Sequence, residues 1–256
     1  MNKIAFISGA TSGIGKATAI ALARENFDLI LTGRRRQLLE KLKEELHQEF
    51  LVDVHIIEMD VRDAKNTKDQ INNLEARWKN IDLLINNAGL AAGLDHFQDA
   101  DLADWDNMID TNLRGLLVVG QTISKIMVER RKGHIINISS IAGTQVYEKG
   151  NVYCATKYAV EAIGKGMRID LLKHGIKITT ISPGAVQTAF SLVRFKNDEQ
   201  KAAQVYQGYQ PLEPSDVADA IVYAATRPDN VNINQIELTP KSQANAFYID
   251  RQTQLT

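Results

Sequence analysis

Cysteine is nearly missing from this chain of 256 residues: Cys154 stands alone, so no internal disulfide can form. The five histidines fall at no recognisable ligand spacing and do not supply a structural zinc site. A reducing compartment is therefore expected. Charge of one sign is lacking as well, since 30 Lys and Arg stand against 31 Asp and Glu for a net −1. That balance excludes nucleic acid as the principal partner, because gripping a phosphate backbone needs an excess of positive charge. No apolar run approaches the roughly 20 residues of a membrane helix, and the first apolar stretch stops at Gly9, short of a secretory signal with its cleavage site. With 44% hydrophobic and 24% charged residues, an ordinary globular mixture, a soluble cytoplasmic protein is expected, with no membrane partner. The five prolines are scattered, and there is no spacer, low-complexity segment or fixed-period repeat, so one domain spanning 1–256 is expected.

What is present alternates. Short β-branched or aliphatic runs occur at Ile4 to Ser8, Leu29 to Thr32, Val54 to Met59, Leu83 to Asn86, Ile135 to Ser139, Ile176 to Ser182 and Ile233 to Leu238. Between them, apolar residues recur at helical spacing, as in Leu38, Leu39, Leu42, Leu46 or Ile109, Leu113, Leu116, Leu117. Strand-helix alternation predicts an α/β fold: a Rossmann-type, doubly wound parallel sheet of about seven strands with helices on both faces. The first four runs are almost continuously apolar, as strands covered on both faces should be. In such a sheet the ligand crevice lies outside the carboxyl ends of the strands. The most polar long insertion, about 190–214, follows the sixth strand, and a substrate lid over the crevice and a solvated helix pair both fit it.

Directly after the first strand, Gly9, Thr11, Ser12, Gly13, Ile14 and Gly15 form a glycine-rich turn into a helix. Glycine permits the tight turn, and bare amides at a helix N-terminus offer donors and a positive dipole end to a pyrophosphate. The second strand runs into Arg34, Arg35 and Arg36 with no Asp or Glu between Ile30 and Leu39. An acidic residue there would bind ribose hydroxyls, whereas arginine accommodates a 2′-phosphate, so NADP is predicted over NAD. Asp60 and Val61 end the third strand; the carboxylate either accepts from the adenine amino group or caps the next helix. Asn87, Ala88 and Gly89 at the end of the fourth strand let backbone approach a ribose. Pro183, Gly184, Val186 and Thr188 are placed to wall the nicotinamide.

These segments, with Asn112, Ser140, the run Tyr153-Cys154-Ala155-Thr156-Lys157 and Pro183-Gly184, resemble the Tyr-based form of the short-chain dehydrogenase/reductase family across essentially the whole chain. Ser8 departs from the threonine common in that family but keeps the hydroxyl. The segments Asp104-Trp105, Met108 to Asn112, Gly133 to Ile138, Gly150 to Tyr153, Val193 to Lys196 and Val231 to Asn234 are similar to the bacterial NADP-dependent 3-hydroxy acid dehydrogenases, also described as L-allo-threonine or serine dehydrogenases. The resemblance implies oxidation of the 3-hydroxyl of a small acid, or the reverse reduction, by a homotetramer.

Hydride exchange with a carbinol carbon also needs a group that handles the hydroxyl proton. Tyr153 is that candidate, although a phenol with pKa near 10 is a poor base at neutral pH. Lys157, four residues on, shares its helix face and can favour the phenolate; the resemblance also gives it the nicotinamide ribose. Ser140, at the end of the fifth strand, is chosen over Ser139 to orient the substrate oxygen, because strand side chains alternate. For Asn112 the resemblance implies a water-holding role behind Lys157. Cys154 faces away from the base, and His134, at the opposite strand end, reads as structural. Arg194 is the candidate clamp for a substrate carboxylate, with an ordinary surface arginine as the alternative. A broader alcohol or ketone reductase, or an inactive NADP-sensing regulator, are the competing functions; no metal is expected.

Overall fold

The computed structural model describes residues 2–251. Seven parallel strands form one sheet in the order β3-β2-β1-β4-β5-β6-β7. They are β1 (Ile4–Ile7), β2 (Asp28–Gly33), β3 (Val54–Glu58), β4 (Ile81–Asn86), β5 (Gly133–Ile138), β6 (Ile176–Pro183) and β7 (Gln235–Leu238). Each expected strand is found, with β7 beginning two residues later than its apolar run suggested.

Alternation along β1 shows why the first strands are so apolar. Ala5 and Ile7 face one core with helices α1 (Gly13–Arg24), α2 (Arg36–Phe50) and α9 (Pro214–Ala225), through Leu22, Leu39, Leu42 and Ile221. Ile4 and Phe6 face a second core with α3 (Ala64–Asn72), α5 (Leu116–Arg130) and the C-terminal part of α6 (Asn151–Leu171), through Ile71, Ile123, Met127 and Met167. Burying an aliphatic side chain of this size contributes roughly 1.5–3 kcal/mol, so two such layers hold the sheet between them. Strand order reverses between β1 and β4, and the crevice opens there, at the carboxyl ends. Ahead of α5 lie α4 (Leu102–Ile109) and a π-helical turn, Asp110–Gly115. The 190–214 segment forms two short helices, α7 (Phe190–Arg194) and α8 (Glu199–Gln204).

The opposite, amino-terminal edge of the sheet gathers polar groups of another kind. Asp82 accepts from the Ile4 amide at 3.0 Å and pairs with Arg130 and Lys132, while Arg77 bridges Asp28 and Asp53. His134, 4% exposed, shares a 2.7 Å hydrogen bond with the Thr179 hydroxyl. Burial, and secondarily the charge of Lys177, pull its pKa from 6.5 to about 3. The folded value lies below the unfolded one, so as pH falls the unfolded chain takes up a proton that the native chain refuses. Stability is thus lost below about 6.5, by roughly 2–3 kcal/mol at about pH 4.5. Denaturant titrations at both pH values should show a smaller acid-side loss for His134→Asn than for the parent chain.

Candidate active site

Two loops are stitched together before any ligand arrives. The Ser8 hydroxyl accepts from the amides of Asn87 and Ala88 at 2.9 and 3.0 Å, and the Asn87 amide group donates back to the carbonyls of Ser8 and Gly9 at 2.9 and 3.2 Å. Gly9 is left-handed (φ 68°), which lets the chain leave β1 and turn into α1. Gly15 sits beneath the loop, where a Cβ would stand 2.7 Å from Asn87 Nδ2 and closer still to the Gly9 carbonyl. Its role is close packing, and it does not line the crevice itself.

The crevice has a volume of about 360 Å³. On one side it is lined by Gly9, Thr11, Ser12, Gly13, Ile14, Arg34, Arg35, Asp60 and Val61, and on the other by Asn87, Ala88, Gly89, Ser140, Tyr153, Lys157, Pro183, Gly184, Val186 and Thr188. Of the residues singled out from sequence, Gly15, Asn112 and Arg194 lie outside that lining. At the rim, Arg35 Nη2 donates to the Thr11 and Ser12 hydroxyls at 2.7 and 3.1 Å, reaching across the loop without meeting a carboxylate. Arg36 belongs to α2 and pairs with Glu40 one turn on. Asp60 is gripped by Arg62, with Nη2 at 2.6 Å, and the hydrogen bonds of that guanidinium hold the carboxyl below its usual range. The cap of α3 is Asp63, which accepts from the Asn66 amide, so the capping alternative for Asp60 does not hold. The Asp60 side chain is instead engaged by Arg62 at the crevice edge.

Ser140 lies two residues beyond the end of β5, where its hydroxyl caps a short 3₁₀ turn, Ile141–Gly143, by accepting from the Ala142 amide at 3.1 Å. The Ser139 hydroxyl, also in the lining, donates to the Lys157 carbonyl at 3.4 Å. Asn112 is buried in the π-helical turn with both amide protons engaged: it donates to the Leu90 carbonyl at 2.7 Å and the Thr156 hydroxyl at 3.2 Å, and its oxygen accepts from the Leu90 amide at 2.8 Å. It fixes the segment after Gly89 against α6.

Tyr153 and Lys157 share one face of α6, with the ammonium 5.9 Å from the phenol ring centre and donating to the Ile138 carbonyl at 3.0 Å. Burial drives the two in opposite senses, raising Tyr153 and drawing Lys157 from 10.5 to about 8, a fall that the Glu161 carboxylate opposes. Burial thus disfavours the charged form of both groups. The cation that eases Tyr153 ionisation here is Arg194, aided by a hydrogen bond from Ser140 and opposed by the neighbouring phenol of Tyr147.

Arg194 ends α7 on the far side of Tyr153. Its guanidinium carbon lies 5.1 Å from the Tyr153 ring centre and 5.2 Å from that of Phe190. Its main-chain carbonyl accepts from the Gly93 amide at 3.0 Å, and its Nε is buried without a partner. Phe190 and Val193 of the same helix line the crevice, and Phe190 packs edge-on to Tyr153 at 5.6 Å. Sequence reasoning passed over Phe190, Val193, Tyr147 and the loop-tying role of Ser8, since none stands in a spacing that announces it. Cys154 is buried as a small packing group.

A slot running from a glycine turn to a buried phenol, with Arg34 and Arg35 at one end and Arg35 bonded only to hydroxyls, fits an extended anionic nucleotide at the rim and a small polar molecule at the phenol. Residues 3–199 match the family model described as short chain dehydrogenase. The NADP-dependent 3-hydroxy acid dehydrogenase of Salmonella typhi is 41% identical over 242 residues, covering 94% of this chain and 96% of that protein. Sulfoacetaldehyde reductase 2 of Chromohalobacter salexigens is 42% identical over 253 residues, covering 98% of this chain and all of that one. Among solved structures, the closed form of serine dehydrogenase complexed with NADP+ superposes with a TM-score of 0.91 at 41% identity, covering 95% of this chain and 97% of the other.

Proposed function

Because this chain belongs to the short-chain dehydrogenase family, we propose that it is an NADP-dependent oxidoreductase acting at the 3-hydroxyl carbon of a small hydroxy acid of the serine, allo-threonine or 3-hydroxyisobutyrate type. When bound, the nicotinamide gives or takes the hydride. Every other task falls to the chain. Arg34 and Arg35 hold the 2′-phosphate, since neither is tied up in an ion pair among the described residues and Arg35 is already aimed at the loop hydroxyls. The amides around Gly13 and the start of α1 receive the pyrophosphate, and Asp60 and Val61 flank the adenine. Lys157 lies 3.6 Å from the position a Cβ would take on Gly89, close enough for both residues to serve one ribose. Pro183, Gly184, Val186 and Thr188 wall the nicotinamide end, and Asn112 orders the chain behind it.

Ser140 orients the substrate oxygen and Tyr153 passes it a proton or removes one. Buried and raised in pKa, the phenol is protonated at neutral pH and is ready as the acid for reduction. Oxidation draws on the minority phenolate and should accelerate as pH rises, while reduction stays level through neutrality. Stopped-time assays in the two directions check both slopes.

The observation that carries the acid substrate is Arg194, a cation beside the phenol whose Nε is buried and unpartnered. A charge-assisted bond of this kind is worth about 1.5–3 kcal/mol, so Arg194→Ala should raise KM for a 3-hydroxy acid roughly tenfold to a hundredfold with a much smaller change in kcat. An unchanged KM removes the clamp. Absorbance of NADPH with L-serine, L-allo-threonine, 3-hydroxyisobutyrate and simple secondary alcohols tests the class, and turnover confined to the alcohols would make this a broader alcohol or ketone reductase. No helix among the described residues is long and apolar enough to cross a membrane, which accords with the cytoplasmic location proposed here. A homotetramer is proposed on the likeness to the 3-hydroxy acid dehydrogenases, and sedimentation equilibrium checks it.

A further inference from the structure

The residues Tyr147-Glu148-Lys149-Gly150 turn the chain into α6, with Lys149 in the left-handed region (φ 64°). Gly150 has no side chain for a physical reason: a Cβ there would collide with the Tyr147 ring, which folds back over the start of the helix. The turn is closed by the Gly150 amide donating to the Tyr147 carbonyl at 3.0 Å. Held in this way, the Tyr147 hydroxyl accepts from Arg194 Nη2 at 2.7 Å, and its ring centre lies 5.7 Å from the guanidinium carbon. Tyr147, Tyr153 and Phe190 thus surround the guanidinium with three rings.

Charge bookkeeping around this cluster leaves Arg194 unmatched. The nearby carboxylates Asp101 and Asp104 are both engaged by Lys196, at 3.9 and 2.9 Å. Tyr147 is a neutral partner at pH 7, because burial raises its pKa. It orients the guanidinium without cancelling the charge, as a carboxylate in its place would. A free arginine side chain carries about 2 kcal/mol of rotamer entropy that an incoming anion would have to quench. Here a phenol and two further rings have already immobilised it, with Nη2 engaged and Nε left over as a buried donor.

We propose that Tyr147 is a specificity-determining positioning residue, which by fixing Arg194 makes the site prefer alcohols and aldehydes bearing an anionic head group, carboxylate or sulfonate, over neutral molecules of the same length. The inference rests on the reading that Arg194 meets the substrate.

Steady-state rates of the full chain with 3-hydroxyisobutyrate, isethionate and the neutral 2-methyl-1,3-propanediol test it. In Tyr147→Phe, KM for an anionic substrate should rise about tenfold, the loss of one hydrogen bond to a charged group. Its kcat should hold within about twofold, so the preference for anion over diol falls about tenfold. The arm in which this occurs identifies the head group. Combined with Arg194→Ala, Tyr147→Phe should cost nothing further in KM, because its effect passes through the arginine. An equal loss on anion and diol, or full additivity with Arg194→Ala, overturns the proposal. If Arg194→Ala raises KM while Tyr147→Phe does not, Tyr147 alone is misassigned. If Arg194→Ala itself is silent, the clamp falls and Tyr147 with it. Thermal midpoint and NADPH affinity measured alongside separate misfolding from a lost contact.

Discussion

Tyr153→Phe is expected to lower turnover in both directions by roughly 10²–10⁴-fold, the usual worth of a positioned general acid or base. The variant removes one oxygen and leaves a ring of the same shape, so the edge-on contact with Phe190 and the stacking of Arg194 survive. NADPH affinity should change little, because the rest of the crevice wall is untouched. Fluorescence titration of NADPH beside single-turnover rates separates the two effects. A variant that binds NADPH and retains more than a tenth of its activity would remove Tyr153 from proton transfer. The effect is large because the neighbouring phenol and the imidazole on β5 do not take its place: Tyr147 points its hydroxyl at Arg194, and His134 lies at the other end of β5.

The second large effect concerns the choice of nucleotide. Arg34→Ala together with Arg35→Ala should raise the KM for NADPH by roughly 10²–10⁴-fold, two charge-assisted contacts of about 1.5–3 kcal/mol each, while the KM for NADH moves by only a few fold. Both arginines are exposed at the rim, so the NADPH preference should also shrink as salt is raised. Equal weakening of both nucleotides would show that the arginines contribute general attraction and no recognition of the 2′-phosphate. Arg36 serves as an internal control. Paired with Glu40 along α2, it should be replaceable with little change in either constant.

Much of the fold was readable because its causes are local and periodic. Strands covered on both faces leave nearly unbroken apolar runs, as in β1 to β4, and the aliphatic residues of β5 to β7 were enough to mark those strands too, although the edge strand β7 alternates in exposure. The glycine turn announced itself through residue type, since Gly9 must be left-handed and Gly15 must be small. Where side chains answer to tertiary contacts, the residues gave no such notice. Ser140 was expected at the strand end but stands two residues beyond it, where its hydroxyl accepts from the buried Ala142 amide and caps the following 3₁₀ turn. Asn112 looked like an amide interrupting an apolar helix; the interruption is a π-helical turn, and its hydrogen bonds run to Leu90 and Thr156, distant in sequence. The spacing of Tyr153 and Lys157 was visible, yet the sense in which each is shifted depends on burial, which no spacing encodes. Tyr147 sits in a polar turn where nothing marks it, and only the glycine three residues on hints that a ring must fit there.

The parallel sheet divides its two rims by vocation. The crevice-lining loops leave the carboxyl rim, whereas Asp28, Asp82 and His134, with their arginine, lysine and threonine companions, are confined to the amino rim. Tolerance to heat and acid can therefore be re-engineered on one side of the molecule while the chemistry on the other proceeds undisturbed, an independence that a fold with interleaved supports and reagents would not allow.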